Sequence, residues 1–258
     1  MILAQITDLH IVDKGELLWN EWDSATGLER AVVRLNALEP KPDFLIVTGD
    51  MVDLGSTSNY AHLAEHLGSL TMPFGLIPGN HDGRENLTAA NLGHLPDSDA
   101  APFYQYAIDL PPIRLIALDT LDEGKSSGAL CEMRLTWLER RLAENRAVPT
   151  VVAMHHPPVA SGAGFMDGIG LTRGGDEFAK IIAAAPNVVR IVCGHQHRST
   201  VATLEDAVVQ ICPSTTVQIP FDLGPDLPLP LTPEPPAFLL HLWHHGQLVS
   251  HSLYVDSY

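Results

Sequence analysis

The fold is decided by a stretch of nine residues, Phe74-Gly75-Leu76-Ile77-Pro78-Gly79-Asn80-His81-Asp82. Its first part, Phe74–Ile77, is typical of a buried strand, and Pro78-Gly79 ends that strand. The polar triplet that follows has no packing rationale, because burial of such side chains without partners is energetically unfavourable. The stretch therefore predicts a strand that is followed directly by polar residues with a functional role.

Four other polar motifs follow apolar runs elsewhere in the chain. They are Asp8-Leu9-His10, Gly49-Asp50, His155-His156-Pro157-Pro158 and Gly194-His195-Gln196-His197. In an open α/β sheet, the loops beyond the carboxyl ends of the strands meet in one crevice. We therefore expect these distant residues to meet in space. Asp8 and His10 stand two residues apart, so an extended backbone would direct both side chains to the same side.

The residue types in these motifs are those of metal ligands, with carboxylate oxygens and imidazole nitrogens but no thiolate. This set favours iron, manganese, cobalt or zinc over a structural cysteine–zinc site. Asp50 has two oxygens and could bridge two ions, whereas the spacing leaves open which of His155 and His156 binds. The motifs thus predict a centre that can hold two metal ions.

The rest of the chain alternates strands and helices and then becomes rich in strands. Apolar runs predict strands over residues 2–7, 44–48, 74–77, 114–118, 150–154 and 188–193, and later over 201–204, 208–212, 238–243 and 248–255. Helical spacing of apolar residues predicts helices over 28–38 (with Ser24 as its cap), 60–70, 133–142 and 176–184. The pattern indicates an α/β fold in which the strand-rich end forms a second sheet.

The C-terminal part contains a segment that cannot be a helix or a central strand. Residues 220–236 include seven prolines. We expect a single domain over residues 1–258, with the region from about 213 to 258 as a surface extension, a lid or a contact between subunits. The histidines in this region, His241, His244, His245 and His251, are predicted to lie at the surface, the second and third in a hairpin turn.

Composition excludes several classes of function. The chain has 258 residues, 45% of them hydrophobic, and a formal net charge of −16. So acidic a protein repels nucleic acids, although bound metal ions would still permit a small anionic substrate. Its three cysteines form no CxxC pair, which favours a reduced compartment. Neither a signal peptide nor a stretch of about 18 apolar residues is visible, so we expect a cytoplasmic protein that does not bind membranes.

Taken together, the five motifs resemble those of the calcineurin-like metallophosphoesterase superfamily. More narrowly, they are similar to those of bacterial class III cyclic nucleotide phosphodiesterases and the related dinuclear glycerophosphodiesterases. The similarity of motifs extends from residue 1 to about 200. It implies a four-layer α/β/β/α sandwich with two mixed β-sheets flanked by helices, and a homo-oligomer of two or more copies.

The resemblance also implies a set of ligands for two divalent or trivalent ions (iron, manganese, cobalt or zinc). Asp8, His10 and His197 would hold one ion and Asn80, His156 and His195 the other, with Asp50 between them. The family pattern favours His156 over His155.

The remaining candidate site residues surround this ligand set. His81 is predicted to stabilise the transition state and to act as a candidate general acid, with Asp82 orienting its ring. Asn80, His81 and Arg84 are the predicted substrate contacts, although Arg84 could instead stay solvated. Asp53 could orient its neighbours or only shape a turn.

The resemblance implies hydrolysis of phosphate esters, in which two ions about 3.5–4 Å apart clamp a displacement at phosphorus and a bridging hydroxide is the nucleophile. Small phosphodiesters, with cyclic nucleotides first, are the expected substrates. A glycerophosphodiester hydrolase or a promiscuous diesterase and monoesterase is the alternative. A non-catalytic scaffold of the same fold is more remote, because all seven ligand positions and His81 are present. Trp19 and Trp22 could stack on a base or simply pack their loop. The similar glycerophosphodiesterases have a histidine in the turn after a late strand, whereas residues 214–218 here contain none.

Overall fold

The computed structural model describes residues 1–94, 96, 98–226 and 230–256. Within these ranges the helices are α1 (Ser24–Asn36), α2 (Thr57–Leu67), α3 (Arg84–Ala90), α4 (Glu132–Glu144), α5 (Gly164–Gly168) and α6 (Gly175–Ala183). The strands are β1 (Ile2–Ile6), β2 (Phe44–Thr48), β3 (Phe74–Ile77), β4 (Tyr106–Leu110), β5 (Ile113–Ala117), β6 (Gly128–Ala129), β7 (Thr150–Ala153), β8 (Leu171–Arg173), β9 (Val188–Cys193), β10 (Thr200–Leu204), β11 (Ala207–Ile211), β12 (Ala237–His244) and β13 (Gln247–Tyr254).

The elements predicted from periodicity are all present, and the ends of the predicted strands differ from the observed ends by at most one residue. The prediction that Ser24 caps α1 is wrong. Asp23 caps the helix, because its carboxylate accepts hydrogen bonds from the Thr26 backbone N–H and hydroxyl. Sequence periodicity missed α3, α5, β4, β6 and β8, which are short or largely exposed and so carry little apolar pattern.

Two mixed sheets form the centre of the protein. The first has the order β13-β12-β1-β2-β3, with β1, β2 and β3 parallel and β12 antiparallel to both neighbours. The second has the order β10-β11-β9-β7-β5-β4, in which only the pairs at the two edges are antiparallel. The expectation that the strand-rich end forms the second sheet is therefore wrong in part, since β12 and β13 join β1 in the first sheet.

Three apolar clusters separate four layers of structure. The first cluster lies between α1 and α2 and the first sheet, the second between the two sheets, and the third between the second sheet and α4 and α6. In this order they contain, among others, Leu28 with Leu45, Ile46 with Leu115, and Leu138 with Val152. Leu45 and Ile46 are adjacent in β2 and pack on opposite faces, as alternation along a strand requires. The four-layer α/β/β/α arrangement is confirmed.

The C-terminal hairpin of β12 and β13 closes one edge of the first sheet. Its turn uses positive φ at His245 (+48°) and Gly246 (+78°), which suits a tight two-residue hairpin. His244, His245 and His251 are exposed as predicted. The prediction is wrong for His241, which is fully buried because it lies on the inward face of β12. No helix within the described ranges is long and apolar enough to cross a membrane.

Candidate metal centre

The five polar motifs converge where the two sheets present the carboxyl ends of their parallel strands. The loops after β1, β2 and β3 come from the first sheet, and the loops after β7 and β9 come from the second. They meet closely, with His10 Nε2 3.1 Å from His197 Nε2 and His155 Nε2 3.3 Å from Asp50 Oδ2. The predicted convergence of residues that are distant in sequence is confirmed.

Five residues of these motifs hold a left-handed backbone conformation, which residues other than glycine adopt rarely. Their φ angles are +51° at Asp8, +46° at His10, +47° at Asp50, +75° at His195 and +47° at His197. The expectation of an extended backbone from Asp8 to His10 is therefore wrong. Such conformations cost on the order of 1–3 kcal/mol each and persist only where the surrounding fold imposes them. Their concentration at one point is typical of a functional site.

Asp8, His10 and His197 form the first group of candidate ligands. Val217 O accepts a hydrogen bond from His197 Nδ1 (2.8 Å), and Asp53 Oδ1 accepts one from His10 Nδ1 (3.3 Å). Because these oxygens can only accept, both Nδ1 atoms carry the hydrogen of a neutral ring, and both Nε2 atoms present lone pairs. These lone pairs face each other across 3.1 Å, with Asp8 Oδ1 3.4 Å from His197 Nε2. A cation among the three side chains would relieve the repulsion.

A second group of acceptors surrounds Asp50. His155 Nδ1 donates to Thr48 O (2.8 Å), so its Nε2 presents a lone pair that lies 3.3 Å from Asp50 Oδ2 and 3.3 Å from Asn80 Oδ1. His195 Nε2 is buried and has no hydrogen-bond partner among the described residues. A buried ring nitrogen without a partner is unfavourable unless an unseen group binds it. This donor set of nitrogen and oxygen atoms fits a divalent metal ion.

Both groups of side chains require positive charge. Burial raises the pKa of Asp50, but the neighbouring histidines outweigh this effect and hold the pKa well below its usual range. Burial lowers the pKa of His155, yet the Asp50 carboxylate outweighs burial and raises the pKa to about 9, so that a proton takes up the Nε2 lone pair wherever a metal ion does not. Similarly, Asp8 outweighs the effect of burial on His197 and raises the pKa of that ring. Buried carboxylates of this kind are stabilised by protons or by metal ions.

The two adjacent histidines of the β7 loop point in different directions. His156 Nε2 donates to Ser126 O (3.3 Å), and its Nδ1 accepts from the Thr120 hydroxyl (2.8 Å). Both nitrogens of His156 are thus used within the protein, although its ring lies 4.7 Å from the ring of His195. The geometry therefore directs His155, and not the predicted His156, towards Asp50 and Asn80.

A close approach of the chain to the centre explains the glycine before Asn80. A Cβ atom at Gly79 would overlap Asp50 Oδ1 and lie 2.8 Å from His155 Cε1. Only glycine lets the β3 loop pass so near to the carboxylate.

His81 lies beside the ligand groups and keeps one ring nitrogen free for the cavity. Its backbone N–H donates to Asp50 Oδ1 (2.9 Å), and its Nδ1 donates to Asp53 O (2.9 Å). The side chain remains 35% exposed. Burial lowers the pKa of His81, but Asp50 and the hydrogen bonds to Asp53 outweigh burial and raise the pKa to about 10. Asp53 therefore orients both His81 and His10, which supports the first of the two roles considered for it.

Asp82 does not orient His81, in contrast to the prediction. Its Oδ2 accepts from the backbone N–H groups of Gly79 (2.9 Å) and Met51 (3.2 Å), and its Oδ1 accepts from the Tyr60 hydroxyl (2.9 Å). Burial and the Asp50 charge raise the pKa of Asp82 to about 7. The carboxyl group joins the loops after β2 and β3, because the tight turn of residues 79–82 directs it back towards the backbone.

Arg84 is not directed at the cavity either, although the sequence suggested a substrate contact. Its Nε donates to Asp119 Oδ2 (2.6 Å), and its Nη2 donates to Asp119 Oδ1 (3.1 Å) and to Leu121 O (3.1 Å). A further bond joins its Nη1 to Glu123 Oε1 (2.9 Å). The guanidinium group is engaged by the buried Asp119 carboxylate and ties the start of α3 to the loop after β5.

A cavity of about 670 Å³ opens above the candidate ligands. Beyond the polar residues at its base, the described residues that line it are Trp19, Glu21, Trp22, Ser126, Phe165, Met166, Ile169, Ile219, Pro230 and Leu231. No lysine or arginine occurs among these lining residues. Sequence reasoning singled out the two tryptophans but missed Phe165 to Ile169 and the residues near Ile219. No motif signals them, since they are scattered apolar residues that only the fold brings together.

The two tryptophans of the loop after β1 differ in their environment. Trp22 packs against Val12, Leu18 and Val217 and supports the loop. Trp19 is 44% exposed, has a left-handed backbone (φ +51°), and lies with its ring 5.6 Å from the ring of His10. The packing role considered for both residues therefore describes Trp22, whereas Trp19 offers a free aromatic face at the cavity.

Comparison with known proteins agrees with this geometry. A family model described as calcineurin-like phosphoesterase matches residues 1–199. A protein of Arcobacter nitrofigilis named probable glycerophosphodiester phosphodiesterase GpdQ is 35% identical over 100% of this chain and 94% of its own length. The 3′,5′-cyclic adenosine monophosphate phosphodiesterase CpdA of Escherichia coli K12 is 31% identical over 84% of this chain and 76% of its own length.

A solved structure supports the fold alone. A dimetal phosphatase from Danio rerio superimposes with a TM-score of 0.76 at 17% identity, covering 99% of this chain and 96% of its own.

Proposed function

The chain belongs to the calcineurin-like phosphoesterase family, and we propose that it hydrolyses small phosphodiesters at a centre of two metal ions. A phosphoric diester hydrolase fits both the family and the relatives named as phosphodiesterases. The observation that carries the proposal is the pair of buried acceptor groups around Asp50, in which the lone pairs of His10, His197 and His155 lack hydrogen-bond donors.

The proposed ligand set differs from the family pattern inferred above at one position. One ion would be held by Asp8, His10 and His197, and the other by Asn80, His155 and His195, with Asp50 between them. His155 takes the place of His156 because its Nε2 lies beside Asp50 and Asn80, while both nitrogens of His156 have partners elsewhere.

The ligand assignment has a direct test by metal analysis of matched variants. His155→Ala should lower the bound metal of protein reconstituted with Mn²⁺ from two equivalents towards one. His156→Ala should keep more of it, because only its bonds to Thr120 and Ser126 are lost. The assignment is overturned if His156→Ala loses a full equivalent while His155→Ala retains two.

Bound metal ions would neutralise the phosphate oxygens and activate water. The residues of the chain then hold the diester in place and move a proton. Asp53 O fixes the His81 ring through Nδ1, which leaves Nε2 available to the oxygen of the leaving group. Burial lowers the pKa of His81, whereas the Asp50 charge and the contacts with Asp53 raise it; the contacts with Asp53 do not depend on Asp50 and favour a ring that carries the proton a leaving alkoxide needs.

Cyclic nucleotides remain the leading substrates because the cavity suits a flat and uncharged group, such as the base carried by the ribose of the diester. Trp19 presents an exposed ring beside His10, and stacking of a base on an aromatic side chain contributes about 1–3 kcal/mol. The lining contains Glu21 but no lysine or arginine, so a second anionic group on the substrate would not be favoured. The same feature and the net charge of −16 support the expectation that nucleic acid is not bound.

Glycerophosphodiesters are the second candidate, since the GpdQ-named relative aligns with the whole chain and CpdA with 84% of it. The turn after β11 presents Val217 and Ile219 rather than a histidine, so a glycerol group would meet few polar side chains there. Promiscuous activity on both classes is the intermediate outcome.

A substrate panel on reconstituted protein separates these candidates. It compares 3′,5′- and 2′,3′-cyclic nucleotides, glycerophosphodiesters and a chromogenic diester after loading with manganese, cobalt, iron or zinc. We expect the highest kcat/KM with a cyclic nucleotide, reduced roughly 5- to 100-fold by Trp19→Ala and largely retained by Trp19→Phe. If a glycerophosphodiester had the highest kcat/KM, and if Trp19→Ala did not change that value, the second candidate would be established. Inactivity on every diester would overturn the proposal as a whole.

We also infer that the proline-rich segment has two roles. Pro230 and Leu231 line the cavity and Gln218 pairs with Thr232, which supports a role as a wall or lid. Phe221 and Leu223 are 63% and 69% exposed, which supports a contact in a homo-oligomer. A protein that remains monomeric in light scattering at all concentrations would contradict the second role. Residues 227–229 of the segment lie outside the described ranges.

A further inference from the structure

A second pair of histidines lies on α2, outside the lining of the catalytic cavity. His62 and His66 are four residues apart and therefore occupy the same face of the helix. Their Nε2 atoms lie 3.3 Å apart, and the ring centroids are separated by 5.0 Å. His62 is 8% exposed and His66 is half-buried, so the pair is fixed by the protein on one side and reached by solvent on the other.

The hydrogen bonds of His62 determine which ring nitrogen is available. Its Nδ1 lies 2.8 Å from Val12 O, and a carbonyl oxygen can only accept, so Nδ1 carries the hydrogen. In a neutral ring the Nε2 atom then carries a lone pair, which is held in a fixed direction and faces His66. Ring nitrogens that bind metals are commonly oriented in this way by a backbone carbonyl on the opposite nitrogen.

The distance between the two Nε2 atoms matches the requirement of a single ion. Zinc–nitrogen bonds of about 2.0–2.1 Å in tetrahedral geometry place two nitrogen ligands about 3.3–3.4 Å apart. Zinc sites on helices also use two histidines at positions i and i+4, which is the spacing of this pair. Both rings could therefore bind one ion without a change of backbone conformation.

From these contacts we propose that His62 and His66 form a third metal site, which binds Zn²⁺, Ni²⁺ or Cu²⁺ with water completing the coordination. Imidazole nitrogen suits these ions better than Mn²⁺ or Mg²⁺. Among the described residues, no third His, Cys, Asp or Glu has a ligand atom close enough to complete a group with both rings. The site is thus weaker than a four-ligand structural site and independent of the catalytic centre.

The surroundings of the pair are compatible with a cation. Burial and the neighbouring His62 lower the pKa of His66, so that the ring is neutral near pH 7. Glu65 is exposed on the same helix and is bonded to Lys14 (2.8 Å), while Glu29 of α1 contributes further negative charge.

The experiment measures metal stoichiometry on protein whose catalytic centre is already loaded. Wild type, His66→Gln and His251→Gln (a single exposed histidine as the control) are titrated with Cu²⁺, Zn²⁺ or Mn²⁺ alone. Wild type and His251→Gln should bind one equivalent more of Cu²⁺ and of Zn²⁺ than His66→Gln does, with no such difference for Mn²⁺. Phosphodiesterase activity should be the same in all three proteins.

A second readout distinguishes a metal site from a simple hydrogen bond between the rings. The additional Cu²⁺ should show coupling to two nitrogen nuclei in its electron paramagnetic resonance spectrum, and this signal should be absent from His66→Gln. Equal stoichiometry in wild type and His66→Gln would overturn the proposal and leave the pair as a hydrogen bond on α2.

Discussion

Acidification should destabilise the protein through one buried histidine of the C-terminal hairpin, His241. Its hydrogen bonds define a neutral ring. Gln5 Nε2 donates to Thr48 Oγ1 (2.9 Å) and to Cys193 O (2.9 Å), which leaves Gln5 Oε1 as an acceptor for His241 Nε2 (3.1 Å). His241 Nδ1 in turn accepts from the Ser250 hydroxyl (2.7 Å). A second proton on the ring would face this hydroxyl within the protein interior.

The expected size of the effect follows from the pKa of this ring. Burial, together with the nearby Arg190 charge, lowers the pKa of His241 from 6.5 to about 3. A histidine with a lowered pKa contributes stability that is complete above the unfolded value of 6.5 and is lost as the pH falls from there towards 3. At pH 5 the loss spans about 1.5 pH units, which at about 1.36 kcal/mol per unit amounts to about 2 kcal/mol.

The measurement compares wild type with His241→Gln, which keeps a donor and an acceptor but cannot titrate. Urea unfolding is followed by tryptophan fluorescence at pH 7.5, 6 and 5 in the presence of a chelator, so that metal loss affects all proteins alike. The wild-type free energy of unfolding minus that of the variant should fall by about 2 kcal/mol between pH 7.5 and pH 5. The exposed His244 provides the control, since His244→Gln should follow wild type. A difference that stays constant with pH would refute the assignment of a neutral buried ring.

Three further predictions concern the candidate site. His81→Ala should lower kcat by roughly 10²-fold or more at unchanged metal content, because one preorganised donor to the leaving group is lost; loss of metal would instead make His81 a ligand. Arg84→Ala should lower the free energy of unfolding by about 2 kcal/mol and leave KM unchanged, because the buried Asp119 carboxylate loses its two hydrogen bonds from Arg84 while Arg134 (3.7 Å) remains beside it; a raised KM at unchanged stability would instead make Arg84 a substrate contact. Gly79→Ala should reduce bound metal below one equivalent by displacing Asp50, and full metal content would contradict the close approach described for this loop.

The partners of the catalytic side chains show where sequence reasoning stops. Adjacency in the chain favours Asp82 as the partner of His81. In the structure the partner is Asp53, which lies 28 residues before His81 in the sequence. The turn after β3 directs the Asp82 carboxyl group into backbone amides, and the loop after β2 brings Asp53 beside both His81 and His10. The direction of a side chain at a loop depends on local φ and ψ angles, which residue spacing does not reveal.

The amino-acid sequence by itself determined the order of the longer strands and helices and the types of side chain at the centre. Apolar runs and helical spacing reflect which residues must leave water, and Asp, Asn and His at strand ends reflect which must not be buried unpaired. Only the tertiary structure decided that His155 faces Asp50, that Arg84 donates hydrogen bonds to Asp119, and that His241 is buried. These outcomes depend on how two sheets pack face to face and on the left-handed backbone at the centre. Both arise from contacts between residues far apart in the chain.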